Sequence, residues 1–307
     1  MDLSEFSLGR ILDSDIISTS KLFKEYIKRN EFRVETISFE KFRIDGEGAN
    51  WFFDVLEGER VVGVDGSQLR PLKEFGLPFG AVQAAKIAVV HGMKKFNVSY
   101  RTKWLDSNIN LDVERFELEI GALLEEMDST SHLFVDGSLI LSFVSQFNTS
   151  LQRKFIALID KFLEKSEETA TPVFGFIERS YAKDMVGDES FVYDSLALGD
   201  HLEPMEYTEP LRCERKITEK YSNDVYFCYL KLNPFFPVRV EFPEWMKKDH
   251  RKYLTFIAAE CAIGSTKSYP YILERAHRYA TISENERKML ASILGIGTSF
   301  KWMSKRV

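Results

Sequence analysis

The chain has 307 residues, 44% of them hydrophobic and 13% aromatic, which excludes a disordered chain and leaves one large domain or two smaller ones open. Its formal net charge of −6 excludes the overall basic character of a dedicated duplex binder. Local basic patches remain at Lys94-Lys95, Arg101 with Lys103, Arg179 with Lys183, and Lys301, Lys305 and Arg306. No apolar run approaches the roughly 18 residues of a membrane span, and the first residues lack a basic region followed by an apolar stretch. A cytoplasmic protein without a membrane segment is therefore expected. Cys213, Cys228 and Cys261 are an odd set without disulfide or zinc spacing and are read as inert.

In chain order, the spacing of Ile16, Ile17, Leu22, Phe23 and Ile27 predicts an amphipathic helix over 15–30, within an N-terminal helical extension taken as residues 1–50. A polar stretch leads to a strand over 60–65. Strands follow over 79–90, rich in Ala and Val, and 96–105, where Phe96, Val98, Tyr100 and Trp104 alternate. A helix at about 111–127, a strand at 132–136, a helix at about 150–165 and a strand at 173–177 complete the order β-β-β-α-β-α-β. Three consecutive strands imply an antiparallel meander, and the alternation after them implies parallel strands reached through crossover helices. That succession is the ribonuclease H-like α/β layout, a mixed sheet flanked by helices, with its first and fourth strands adjacent. Beyond it come a polar region at 200–225, read as an insertion, a strand pair over 225–232 and 238–242, and C-terminal helices from about 250.

Two Asp-Gly-Ser triplets, Asp65-Gly66-Ser67 and Asp136-Gly137-Ser138, each follow a short apolar run. Each is read as a strand end delivering an aspartate onto a turn that its glycine permits. Two carboxylates at neighbouring strand ends suggest a divalent metal. In the 111–127 helix, Glu119 borders the face of Val113, Phe116, Ile120 and Leu123, so its carboxylate could lean over the sheet edge. Glu117 and Glu126 lie near the same borders, and periodicity does not choose among the three. Pro270 suits a first helical position with Tyr269 as the cap, and the helix carries His277 on the face of Leu273 and Ala280. Ala276 and Ala280 would let that helix approach the sheet closely. Ser283-Glu284-Asn285-Glu286 reads as a capping box opening a last helix.

Taken together, Asp65 in VGVDGSQ, Glu119 in RFELE, Asp136 in FVDGSL, and Tyr269 with His277 in YPYILERAH resemble the ordered signature of the NurA nucleases. Asp136 follows Glu119 by 17 residues and His277 follows Tyr269 by eight. The resemblance runs from about residue 60 to about 285, and residues 51–307 are taken as the NurA-like nuclease domain. It implies a Mn²⁺- or Mg²⁺-dependent deoxyribonuclease, a 5′–3′ exonuclease and single-strand endonuclease acting in DNA end resection and double-strand break repair. It further implies a homodimer working with a HerA-type hexameric ATPase. Carried over residue by residue, it makes Asp65, Glu119, Asp136 and His277 metal ligands and Tyr269 an active-site side chain. Arg179 or Lys183 matches the basic residue expected after the 173–177 strand and is assigned a phosphate contact.

These residue types suit the chemistry the resemblance implies. Carboxylate oxygens hold Mg²⁺ or Mn²⁺, one imidazole tilts the preference toward manganese, and two ions could support in-line hydrolysis of a phosphodiester. Two other readings compete. An actin-like ATPase or sugar kinase would use the Asp-Gly-Ser turns for Mg²⁺ and phosphate, but gives Glu119 and His277 no role. A non-catalytic adaptor of a ring ATPase would carry a broken acidic set, whereas this set is intact.

Overall fold

The computed structural model describes residues 37–46, 48–70, 79–94, 96–106, 108–190, 192–265 and 268–283, with Lys21, Asn285, Glu286, Met289 and Ile293. The helix expected over 15–30, apart from Lys21, and the basic tail at 301–306 lie outside these residues.

Strands β1 (Lys41–Arg43), β2 (Arg60–Leu69), β3 (Phe79–Val90), β4 (Phe96–Asp106), β5 (Ser131–Asp136), β6 (Val173–Ile177), β7 (Glu206–Thr208), β8 (Leu211–Arg212), β9 (Val225–Leu230) and β10 (Val238–Pro243) form one sheet. Its order is β1-β7-β9-β10-β6-β5-β2-β3-β4, with β8 added against β9. The β2-β3-β4 meander is antiparallel, and β2-β5 and β5-β6 are parallel. This is the expected mixed layout, with the first strand of the motif beside the fourth. The polar region 200–225 contributes β7 and β8, and β1, inside the stretch read as an N-terminal extension, pairs with β7.

The α-helices are α1 (Trp51–Leu56), α2 (Leu111–Leu124), α3 (Thr149–Thr169), α4 (Asp194–Ala197), α5 (His250–Ile263) and α6 (Tyr271–Ala280), and short 3₁₀ turns complete the described elements. None among the described residues is long and apolar enough to cross a membrane. Asn110 caps α2 by accepting the Asp112 and Val113 N–H groups, and Asn148 caps α3 by accepting that of Leu151. Both helices turn their apolar stripes onto one side of the sheet.

The central strands are covered on both sides, which is why their sequences read as continuous apolar runs. Val62, Val64, Leu133 and Val135 pack with α2 and α3, while Val61, Phe134, Phe174 and Phe176 pack with α5 and α6. Gly63 lets α6 approach, since a Cβ there would stand 3.0 Å from Ile272 Cγ1. Ala276 and Ala280 are fully buried beneath α6, as the small-residue reading anticipates. Two details differ from expectation. Pro270 caps α6 instead of opening it, with Tyr271 the first helical residue. More consequentially, β2 does not end at its Asp-Gly-Ser triplet: Gly66 and Ser67 pair with Ala84 and Gln83, and the strand runs on to Leu69. The second triplet does end a strand, and Gly137 leaves it with φ +137.

A candidate metal centre at the edge of the sheet

The parallel register Val64↔Val135 brings the next residues of the two strands, Asp65 and Asp136, side by side. Both follow the alternation that points Val61, Gly63 and Phe134 toward α6. His277, on α6, reaches back over the edge, so that one ligand atom each from Asp65, Asp136 and His277 lie within 4.8 Å of one another. His277 Nδ1 stands 2.8 Å from Asp65 Oδ2, while Asp65 Oδ1 accepts the Gly66 N–H at 2.7 Å. The imidazole is largely exposed, 68% against 14% for the Asp65 side chain, so the centre opens to solvent on the His277 side.

Tyr269 donates its hydroxyl hydrogen bond to Asp136 and sets its ring edge-on against Phe176, with centroids 5.6 Å apart. Asp136 is exposed at the strand end, yet the protein around it desolvates its carboxyl enough to push it above the ordinary aspartate range; the Tyr269 hydrogen bond opposes this, and the Asp65 charge adds to it. Burial likewise raises the Tyr269 phenol, helped by the negative Asp136 beside it. The phenol is therefore a hydrogen-bond donor at all ordinary pH values.

Glu119 arrives from the opposite side of the sheet. Its carboxyl, carried on α2, lies where a side chain of residue 66 would be: a Cβ on Gly66 would stand 2.0 Å from Glu119 Oε1. Gly66 is therefore required for space, and its backbone is ordinary strand. Through that gap Glu119 comes near enough to feel both aspartates. Burial first, opposed by Arg115 and reinforced by Asp65 and Asp136, pushes its pKa up to about 7. Its Oε1 is out of solvent and, among the described residues, without a hydrogen-bond partner. Glu119 is not within the tight Asp65–Asp136–His277 group, but it stands next to it as a carboxylate with a spare oxygen.

The two basic candidates behave differently. Arg179 is exposed just past the end of β6, whereas the Lys183 ammonium donates to the carbonyls of Asp188 and Ser190 and braces its own loop.

Sequence reasoning missed the support beneath the second triplet. Glu241, 1% exposed on β10, accepts the Ser138 hydroxyl at 2.7 Å and the Leu139 and Ile140 N–H groups at 2.8 and 3.2 Å, all on Oε2. Its Oε1 accepts from Arg239 Nε at 2.7 Å, and Arg239 continues to Asp184 at 2.6 Å, itself held by Arg215. The only signal is two charged residues alternating with Val238, Val240 and Phe242, a pattern that ordinarily marks a strand with one wet face. Also missed was Glu260, fully buried on α5, which accepts the Ile272 N–H at 3.1 Å and fixes the start of the helix bearing His277.

Three carboxylates and one imidazole gathered at a partly dry edge, one carboxylate with an orphaned oxygen, form an oxygen-rich donor set suited to a divalent cation. Without such a charge, Asp65, Asp136 and Glu119 would repel one another. Residues 59–282 match the NurA domain family. The fold is similar to the NurA nuclease from Sulfolobus solfataricus, at 17% identity and a TM-score of 0.63 over 92% of this chain and 97% of that one. It is also similar to a NurA structure with manganese (11% identity, TM-score 0.55, 92% and 97% covered) and to one bound to dAMP and manganese (12%, 0.56, 92% and 98%). No curated protein sequence matches the chain.

Proposed function

Because the chain belongs to the NurA family, its domain match covering residues 59–282, we propose that it is a metal-dependent DNA nuclease. The convergence of Asp65, Asp136 and His277 at one sheet edge carries this reading. Asp65, Asp136, His277 and Glu119 would hold the metal, and Tyr269 would orient Asp136 or the substrate phosphate through its hydroxyl. Manganese or magnesium, as a pair of ions, would supply Lewis acidity for in-line phosphodiester hydrolysis, and the imidazole favours manganese. The chain's own part is placement. β2 and β5 fix the aspartates by register, Gly66 admits Glu119, and Glu260 and Gly63 seat the helix that presents His277. Structures of relatives with manganese and with dAMP support both the metal and the nucleic-acid substrate class.

The finer reading follows the family: 5′–3′ exonuclease and single-strand endonuclease activity in end resection and double-strand break repair, in the cytoplasm. The working form would be a homodimer fed DNA by a HerA-type hexameric ATPase. One domain over 51–307, with 200–225 as an elaboration of it, fits that assignment. The actin-like ATPase alternative loses both of its phosphate turns. The first triplet lies within a strand, and the donors of the second are already taken by Glu241.

The test is direct. Purified protein should degrade linear DNA with Mn²⁺, less well with Mg²⁺ and not with a chelator, and Asp65→Ala should abolish cleavage. Undiminished cleavage by Asp65→Ala would place the active centre elsewhere.

A further inference from the structure

Arg115, in the same RFELE segment as Glu119, has no role in the reading above, and its surroundings do not account for it. Among the described residues its buried Nε has no hydrogen-bond partner, and Nη1 makes only a long 3.4 Å bond to the Gly66 carbonyl. The ordinary explanation would be a helix ion pair with Glu119. However, Nη1 stands 3.7 Å from Glu119 Oε1, which itself has no hydrogen-bond partner, and an Arg four residues before a Glu is the weaker order for such a pair. The neighbouring cations contrast with it. Lys103 is paired with Glu114, Arg101 with Glu125, and Lys86 and Arg60 with Glu126. Arg115 thus stands against a metal-centre carboxylate, 37% exposed, with donors to spare.

A centre built from three carboxylates must still accept an anionic phosphodiester, which a planar guanidinium fork recognises well. Of the basic residues considered for that task, Lys183 is committed to its own loop. Resting on the nuclease reading, we propose that Arg115 is a substrate-binding residue that donates to a non-bridging phosphate oxygen of the DNA strand held at the Asp65–Asp136 centre. Its contact with Gly66 and Glu119 keeps the guanidinium beside the metal ligands and leaves the outer donors for the substrate.

The experiment measures binding of a fluorescent single-stranded oligonucleotide as a function of salt, in an Asp65→Asn background that does not cut. A lost phosphate contact lowers the slope of log affinity against log salt by about 0.7 and weakens binding about tenfold. Arg115→Gln should do both, and Arg115→Lys, which keeps the charge, should retain the slope. In the otherwise unsubstituted protein, Mn²⁺ affinity read by electron paramagnetic resonance should be the same for Arg115→Gln as for the parent. An unchanged salt slope in Arg115→Gln, with weakened Mn²⁺ binding, would overturn the proposal and make Arg115 a prop for Glu119. Absence of any DNA cleavage by the unsubstituted chain with Mn²⁺ would instead remove the nuclease reading beneath it.

Discussion

Substituting Gly66 by alanine adds one methyl group, yet it should separate folding from function. The new Cβ would lie 2.0 Å from Glu119 Oε1, 2.9 Å from its Cδ and 2.8 Å from Arg115 Cγ. Since non-bonded carbon and oxygen do not approach closer than about 3 Å, the carboxyl must retreat by about 1 Å or more. The nearest obstructing atoms, those of the Glu119 carboxyl, are the end of a flexible side chain, whereas Arg115 Cγ lies close to its own helix and must shift with it; Gly66 has no left-handed φ, so the strand backbone itself accepts alanine. Overpacking costs about 1–3 kcal/mol, and replacing glycine within a strand returns about 0.5–1, leaving a net loss of no more than about 2.5 kcal/mol. The functional cost is larger because Glu119 is displaced from Asp65 and Asp136. Mn²⁺ affinity should fall about 10–100-fold, and cleavage with it. Gly121→Ala in the same helix is the control. Its Cβ would meet nothing nearer than Arg101 Nη1 at 3.7 Å, so it should stabilise α2 by about 0.5–1 kcal/mol and leave cleavage unchanged. Urea denaturation, a Mn²⁺ titration and a cleavage assay on both variants decide the matter. A Gly66→Ala protein with parental Mn²⁺ affinity and rate would show that Glu119 is not needed where it stands.

The remaining predictions follow from the same contacts. In chelator, Glu119 has a folded pKa of about 7 against an ordinary 4.5, so the folded state holds its proton longer than the unfolded chain. Stability should therefore be highest below about pH 4.5 for this group and fall by roughly 3 kcal/mol as pH rises from there through 7. Glu119→Gln should flatten that fall in urea melts at several pH values, and a parental profile in the variant would refute the assignment. Glu241→Ala leaves Arg239 buried beside an emptied site and should cost about 3–5 kcal/mol by denaturation, whereas a change below 1 kcal/mol would mean the second triplet does not depend on it. Light scattering should show a dimer at micromolar concentration, and a stable monomer would remove the proposed homodimer.

The sheet was legible because its signals are local. Val173–Ile177 and Phe79–Val90 have the bounds that their apolar runs predict, and the lack of a helical pattern in the sequence between the strands at 60–65, 79–90 and 96–105 pointed to the antiparallel β2-β3-β4 meander. The adjacency of Asp65 and Asp136 followed from topology alone, since a parallel crossover places the fourth strand beside the first. Periodicity could not choose among Glu117, Glu119 and Glu126, because the choice is made across the sheet. Gly66 leaves a gap facing Glu119, Glu126 is held by Arg60 and Lys86, and Glu117 is exposed.

Gly66 also shows how a correct motif can be given the wrong cause. Glycine after a strand aspartate is ordinarily a turn, and in the second triplet Gly137 does serve that purpose. In the first, the strand continues, and what matters is the side chain that glycine lacks. Glu241 was hidden for a related reason: a charged residue alternating with apolar ones in a strand reads as solvent-facing, and only the fold reveals that both faces of β10 are covered. The two triplets therefore reach the same edge by different means, one by yielding space to a carboxylate from α2 and the other by having its own backbone donors satisfied by a carboxylate from β10. That division leaves Asp65 and Asp136 as the aspartates facing His277, and it explains why two similar sequence motifs are not interchangeable: exchanging their surroundings would place a side chain in the path of Glu119 or strand Glu241 without its donors.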